Sequence, residues 1–241
     1  MTNPLLETTE LPQFSKIKAE HIVPAIEQLL NEARAAVKNA LAANTDYNWE
    51  NLVEPIEEAE DRLSKAWSPV GHLNGVLNSD ELRDAYNACL PKLSEYSTEM
   101  GQNKDLFNAY QSIANSVEFE TLDVAQKKII DNALKDFRLS GIDLDSEKQQ
   151  RYKEISQQLS ELCSRYSDNV LDATNAWTKL ISDETELKGL PESAMIQAKQ
   201  SAEMADGEGW LISLQFPSYI AVMTYADNRE LRHEHYQAFA T

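Results

Sequence analysis

Along most of the chain, apolar residues recur at three- and four-residue spacing. Ile22, Ile26, Leu29, Leu30, Ala33, Val37, Ala40 and Leu41 form the first such stripe, the pattern of a helix that buries one face. Pro24 falls in the turn expected to open that helix, where its missing N–H does no harm. Asn48 is a natural cap for a second helix that turns Leu52, Ile56, Ala59, Leu63 and Trp67 inward. Pro55 predicts a bend in it, and Pro69 with Gly71 predicts its end. Ser79 caps a third helix (Leu82, Tyr86, Cys89, Leu93, Tyr96, Met100), which Gly101 closes. A shorter one carries Leu106, Tyr110 and Ile113. The next runs from Leu122 through Ile129, Ala133 and Phe137 to Gly141, the left-handed stop.

From Ser146 to Ile181 there is neither Gly nor Pro. Tyr152, Ile155, Leu159, Leu162, Tyr166, Val170, Ala173, Trp177 and Leu180 share one side. The spacing predicts a helix of about 54 Å, long enough to act as a strut. Beyond Gly189 the texture changes. Pro191 opens a short helix through Met195, Ala198 and Ala202, and Asp206-Gly-Glu-Gly209 is a turn. Trp210, Ile212, Leu214 and Phe216 then alternate with Leu211, Ser213 and Gln215, which is the period of a strand. Pro217 ends it. Ser218 is the expected cap of a short helix to Ala226, and Asp227-Asn228 opens a final helix with Leu231, His235, Ala238 and Phe239. One strand needs a partner for its N–H and C=O groups, expected within 182–189 or outside the chain. The predicted class is mainly α: an array of long antiparallel helices with one short strand or hairpin near 182–217. The predicted division is a helical domain over 1–144, then the long helix, strand and helices of 145–241.

Composition supports helix, since Gly is scarce at 7 residues. The net charge of −18 would repel nucleic acid and anionic lipid, which bind through Lys and Arg. Lys127-Lys128 is the only basic pair, and one pair is no patch. The acidity weakly favours cationic ligands. No apolar run approaches the ~20 residues of a membrane helix, and the start has no basic or apolar leader pattern. A soluble, cytoplasmic protein is the expectation. Cys89 and Cys163 both fall among apolar helical neighbours, as structural thiols do.

Candidate chemistry is sparse. His233-Glu234-His235 comes close to the His-Glu-x-x-His of zinc peptidases, but its histidines are two apart. On a helix that is about 200° of rotation, so they point apart and cannot share an ion. One is expected to pack inward and the other to be solvated. Glu230 and His233 match one Glu-x-x-His, whereas di-metal carboxylate bundles need two. Asp143, Asp145, Glu147 and Glu154 have calcium-loop spacing, but Lys148 stands where the loop needs Gly. These acids are better placed to cap the following helix. Glu54, Glu57, Glu58, Glu60 and Asp61 form an acidic run of the kind that usually faces water. No phosphate loop and no Gly-x-Ser-x-Gly elbow occur. Spacing alone assigns no catalytic, cofactor-binding or metal residue.

Several longer stretches carry a resemblance. They are Asp131-Asn-Ala-Leu-Lys-Asp-Phe-Arg-Leu-Ser-Gly-Ile142, Glu147-Lys-Gln-Gln-Arg-Tyr152, Leu159-Ser-Glu-Leu162 with Asn169, and Leu190-Pro-Glu-Ser193. Phe216-Pro-Ser-Tyr219, Met223, and Asn228-Arg-Glu-Leu-Arg232 with Tyr236 and Phe239 complete the set. In this order they closely resemble the thimet-type zinc oligopeptidases. The start, Asn3-Pro-Leu-Leu6 and Leu11-Pro-Gln-Phe-Ser-Lys16, resembles the bacterial branch of that family. The resemblance implies part of a two-lobed, channel-type metallopeptidase that cleaves short peptides. It implies a zinc held by a His-Glu-x-x-His helix and a further Glu in the parent enzyme, and none of these residues occurs here. The chain is therefore expected to be an N-terminal fragment that forms a channel wall. Its expected partners are short peptides and the missing C-terminal catalytic part, and alone it should be inactive. The alternative is a free-standing helical protein-interaction module.

Overall fold

A computed structural model describes residues 3–7, 11–43 and 46–241. Among them are nine α-helices and two strands. The helices are α1 (Ala19–Ala43), α2 (Glu54–Val76), α3 (Asp80–Gly101), α4 (Lys104–Ala114), α5 (Val124–Leu139), α6 (Ser146–Ala176), α7 (Glu192–Met204), α8 (Phe216–Tyr225) and α9 (Arg229–Ala240). The strands are β1 (Thr178–Ile181) and β2 (Trp210–Ser213). The class is mainly α, as the helical periodicity predicts. By packing, the chain divides into two compact units, one ending at Cys163 and the other spanning Ser164–Thr241.

The first unit is organised by α1. Ile22, Ala25, Ile26, Leu29, Leu30, Ala33, Val37 and Ala40 are all buried along it, so the stripe seen in sequence is the packed face. Its first half meets Leu63, Ala66 and Val70 of α2 and Leu82, Cys89 and Tyr96 of α3. Its second half joins another cluster with Leu52, Val53, Ile113 of α4, and Ile130 and Phe137 of α5. Pro24 lies beyond the first turn, because α1 begins at Ala19.

Asn48 is a cap, and its side chain and that of Asn51 each accept the other residue's backbone N–H. A wide π-type turn over Trp49–Val53 follows, and α2 starts at Glu54 with Pro55 in its first turn. The predicted end at Pro69 and Gly71 is wrong. The helix continues to Val76, with Pro69 and Val70 buried. Burial of that face outweighs the one hydrogen bond the proline removes. Ser79 caps α3 as expected, accepting from the Leu82 N–H at 3.3 Å.

Gly101 does not stop α3 by a left-handed turn. It is helical, and a Cβ there would lie 2.5 Å from both Cβ and Oγ of Ser140. Its role is close approach of α3 to the end of α5. Gly141 does act as the predicted stop, with φ +84°. Ile142 N donates to Phe137 O at 3.1 Å and Gly141 N to Arg138 O at 3.1 Å, the paired bonds of a Schellman closure.

In the second unit α6 ends at Ala176, five residues earlier than its pattern predicts. Those residues supply the partner strand. β1 runs antiparallel to β2, with Thr178 opposite Ser213 and Ile181 opposite Trp210. The strand lies just before the 182–189 region, of which Glu184–Leu187 forms a 3-10 turn. Unpaired β2 backbone groups and the need to bury Ile181 outweigh continued helix. Phe216 and Pro217 open α8 rather than extending β2, and Ser218 is no cap. Its hydroxyl accepts the Ser213 N–H at 3.0 Å. Ile181, Leu187, Ile212, Val222 and Leu231 form this unit's core.

The Gly101–Ser140 contact makes a test. Ala is the better helix former by up to about 1 kcal/mol, yet the added methyl would overpack the contact at a cost of about 1–3 kcal/mol. Gly101→Ala should therefore lower stability in denaturant titration. Adding Ser140→Gly should restore most of the loss.

Candidate functional site

A polar and aromatic cluster of the second unit surrounds His235. Asn228 caps α9 by accepting from Glu230 N and Leu231 N. Leu231 and His235, four apart, therefore face inward together. His235 is 0% exposed while His233 is exposed, so the two histidines diverge as predicted. The imidazole stacks on Trp177 with centroids 5.0 Å apart, and Tyr219 meets it edge-on at 5.4 Å. Tyr219 in turn stacks on Phe239 at 4.1 Å.

His235 Nε2 lies 2.9 Å from the Ser213 carbonyl oxygen. A carbonyl only accepts, so Nε2 carries the proton and Nδ1 is bare. Nδ1 is buried without a partner. A second proton would place a charge there with nothing to receive its hydrogen bond. Burial accordingly pushes the pKa of His235 down, against smaller upward effects of the Ser213 carbonyl and Glu234. Lys179 of β1 pairs with Glu234 at 2.5 Å, and the Arg232 guanidinium donates to the Ala226 and Asp227 carbonyls. The result is a neutral imidazole that ties α9 to β2.

The other sequence candidates resolve into structural roles. Asp145 caps α6, accepting from Lys148 N at 3.0 Å and pairing with Lys148 Nζ at 2.7 Å. Glu154 pairs with Arg151 at 3.1 Å. In the acidic run, Asp61 pairs with Lys65 at 2.6 Å, and Glu60 accepts the Tyr96 hydroxyl at 2.5 Å. Burial, then the charge of Glu60, raises the pKa of Glu57. Cys89 is buried, and burial pushes its thiol up to about 11, which makes it a poor nucleophile. Cys163 is exposed rather than packed among apolar neighbours. Among the described residues no three His, Cys, Asp or Glu side chains converge as metal ligands. These side chains do not fit a zinc centre. No described helix is long and apolar enough to cross a membrane.

Sequence reasoning missed the Trp177–His235–Tyr219 stack, because Trp177 reads as one more position of the α6 stripe. It also missed a cavity of about 660 Å³ beside the N-terminal segment and α2. No motif marks that cavity.

The family model for the N-terminal domain of neurolysin/thimet oligopeptidase matches residues 26–149. Over all 241 residues the chain is 56% identical to oligopeptidase A of Salmonella typhimurium and 55% identical to that of Escherichia coli. It is 37% identical over 245 residues to a probable cytosolic oligopeptidase A of Arabidopsis thaliana, covering 99% of this chain. In each case the match covers 35% of the relative, so the chain spans about a third of the length of these proteins.

The neutral imidazole fixes a pH response. Its folded pKa lies below the unfolded value of about 6.5, so at intermediate pH the unfolded chain binds more protons. The stabilisation is whole above pH about 6.5 and is lost as pH falls through and below that value. Between pH 7.5 and 5.5 the melting temperature should fall. His235→Gln should flatten that slope and cost about 1–3 kcal/mol at pH 7.5. Parallel slopes for the two proteins would exclude His235 as the titrating group.

Proposed function

This chain belongs to the neurolysin/thimet oligopeptidase family, and from that premise we propose that it is the N-terminal helical part of a zinc peptidase that hydrolyses short peptides. Its role is to form one wall of the channel through which peptides reach the metal. Long helices held at such a wall admit short unfolded chains and keep out folded proteins. Within this reading 1–144 is the helical domain and 145–241 leads into the catalytic part. The zinc supplies a Lewis acid and an activated water when bound. Its ligands are assigned to residues other than these 241. A cytoplasmic location follows from the same reading, supported by the name of the Arabidopsis relative.

The observation that carries the proposal is the full-length match to peptidases about three times longer. α6 supports it. No residue of this 31-residue helix is buried, and Ile155, Leu159, Leu162, Tyr166 and Val170 are 48–71% exposed along one stripe. An apolar face of that length is a packing surface, and the rest of a larger peptidase is the occupant proposed for it.

Two preparations test this. The 241-residue chain with added zinc should give no turnover of an internally quenched short peptide above blank. The full-length polypeptide should give turnover that a chelator abolishes. Metal-dependent cleavage by the 241-residue chain would overturn the placement of the metal site, and a full-length protein without peptidase activity would overturn the function. Sedimentation gives a separate check. The 241-residue chain should self-associate through α6, and Leu159→Glu with Leu162→Glu should make it monomeric.

A further inference from the structure

The 660 Å³ cavity of the first unit falls within the size range of small-molecule sites, about 300–1,000 Å³. One wall is α2, where Asp61, Lys65, Ser68 and His72 line it at four- and three-residue spacing. That spacing sets them on one helical face about 16 Å long. Leu5, Leu6 and Ile17 of the N-terminal segment, with Leu29 of α1 and Ala66 of α2, supply an apolar lining, and Glu7 and Gln13 of the same segment add polar groups. The segment is held in place. Asn3 Nδ2 donates to the His21 carbonyl at 2.8 Å, Leu5 N donates to Asn3 Oδ1 at 3.0 Å, and Phe14 lies against His72 with ring centroids 5.4 Å apart.

The charges at the mouth balance, although the whole chain carries −18. Glu7 and Asp61 oppose Arg62 and Lys65. Their side chains make the following contacts. Arg62 meets Glu32 at 2.7 Å and Lys65 meets Asp61 at 2.6 Å, with side chains 36–75% exposed, and Gln13 donates to Glu7 at 3.2 Å. The exposed Asp61–Lys65 pair contributes little, so it can exchange partners at small cost, while Arg62 can keep its contact to the buried Glu32 Oε2 and offer its remaining N–H donors. An entering carboxylate would meet Arg62 and Lys65, and an entering ammonium would meet Asp61 and Glu7. An apolar body would cover the apolar lining, from which water gains no hydrogen bonds.

We propose that this cavity binds a small apolar zwitterion, of the chemical class of a free dipeptide with apolar side chains. The apolar lining selects the side chains and the balanced rim selects the two free termini. The choice of a peptide as the zwitterion rests on the peptidase reading; the requirement for both charges does not. Such a ligand is what peptide hydrolysis releases, so the site would let the helical unit sense product.

The test is titration of the 241-residue chain with leucyl-phenylalanine, followed by NMR shifts and calorimetry. Two capped forms run beside it, one N-acetylated and one C-amidated. The free dipeptide should bind saturably, and each cap should weaken it about five- to ten-fold, the loss of a charge-assisted contact. Arg62→Gln with Lys65→Gln should reduce the free dipeptide to the affinity of the amide and leave the amide unchanged. Ser68→Trp, at an exposed position on the α2 wall, should abolish binding while the melting temperature holds. No saturable binding, equal binding of the capped forms, or binding that survives Ser68→Trp would each overturn the site. None of these results bears on cleavage by the full-length polypeptide, so the failure of this site and of the peptidase reading are told apart.

Discussion

The buried face of α1 is the constraint on which the first unit depends. A single stripe from Ile22 to Ala40 feeds two apolar clusters in succession. Burying Ile22, Ile26, Leu29 and Leu30 alone contributes about 1.5–3 kcal/mol each, which is comparable to the whole net stability of a domain, about 5–15 kcal/mol. Ala25 and Ala33 sit between them, and their small side chains let α2 and α3 come close enough to pack. Prolines inside α1, α2 and α3 are tolerated on the same ground, because each costs one backbone bond in a helix whose face is already committed.

Where one face of a helix is buried, the sequence pattern is legible. The stripe of α1, the caps at Asn48, Ser79 and Asn228, and the left-handed Gly141 could all be read before any coordinates. Readings fail where a distant partner decides. The last residues of the α6 stripe become β1 because β2, some thirty residues on, needs its hydrogen bonds met. Pro69 does not break α2, because Val70 and Leu73 beyond it are core. Gly101 looks like a stop, but it is small to admit Ser140 from another helix. Each error has one origin: local propensity is a weak term beside tertiary burial. Of the candidate sites, the divergence of His233 and His235 was legible from a rotation of about 100° per residue. The 660 Å³ cavity was not, since its walls lie far apart in sequence.

The chemistry of the chain follows a consistent rule. Several of its ionisable groups form ion pairs at the surface, such as Arg34 with Glu99 and Lys153 with Glu95, both at 2.7 Å. The few polar groups drawn inward are held neutral, as His235 and the Tyr96 phenol are.

α6 keeps its helical form without a single interior side chain. Its backbone bonds must draw on intrinsic propensity and on near-neighbour pairs such as Arg151 with Glu154, each adding only a few tenths of a kcal/mol. Amide protons along its middle should accordingly trade with deuterium sooner than those of α1, which open only when a core opens. Any occupant of the stripe would slow that exchange turn by turn, leaving a footprint of its length and position in the labelling record.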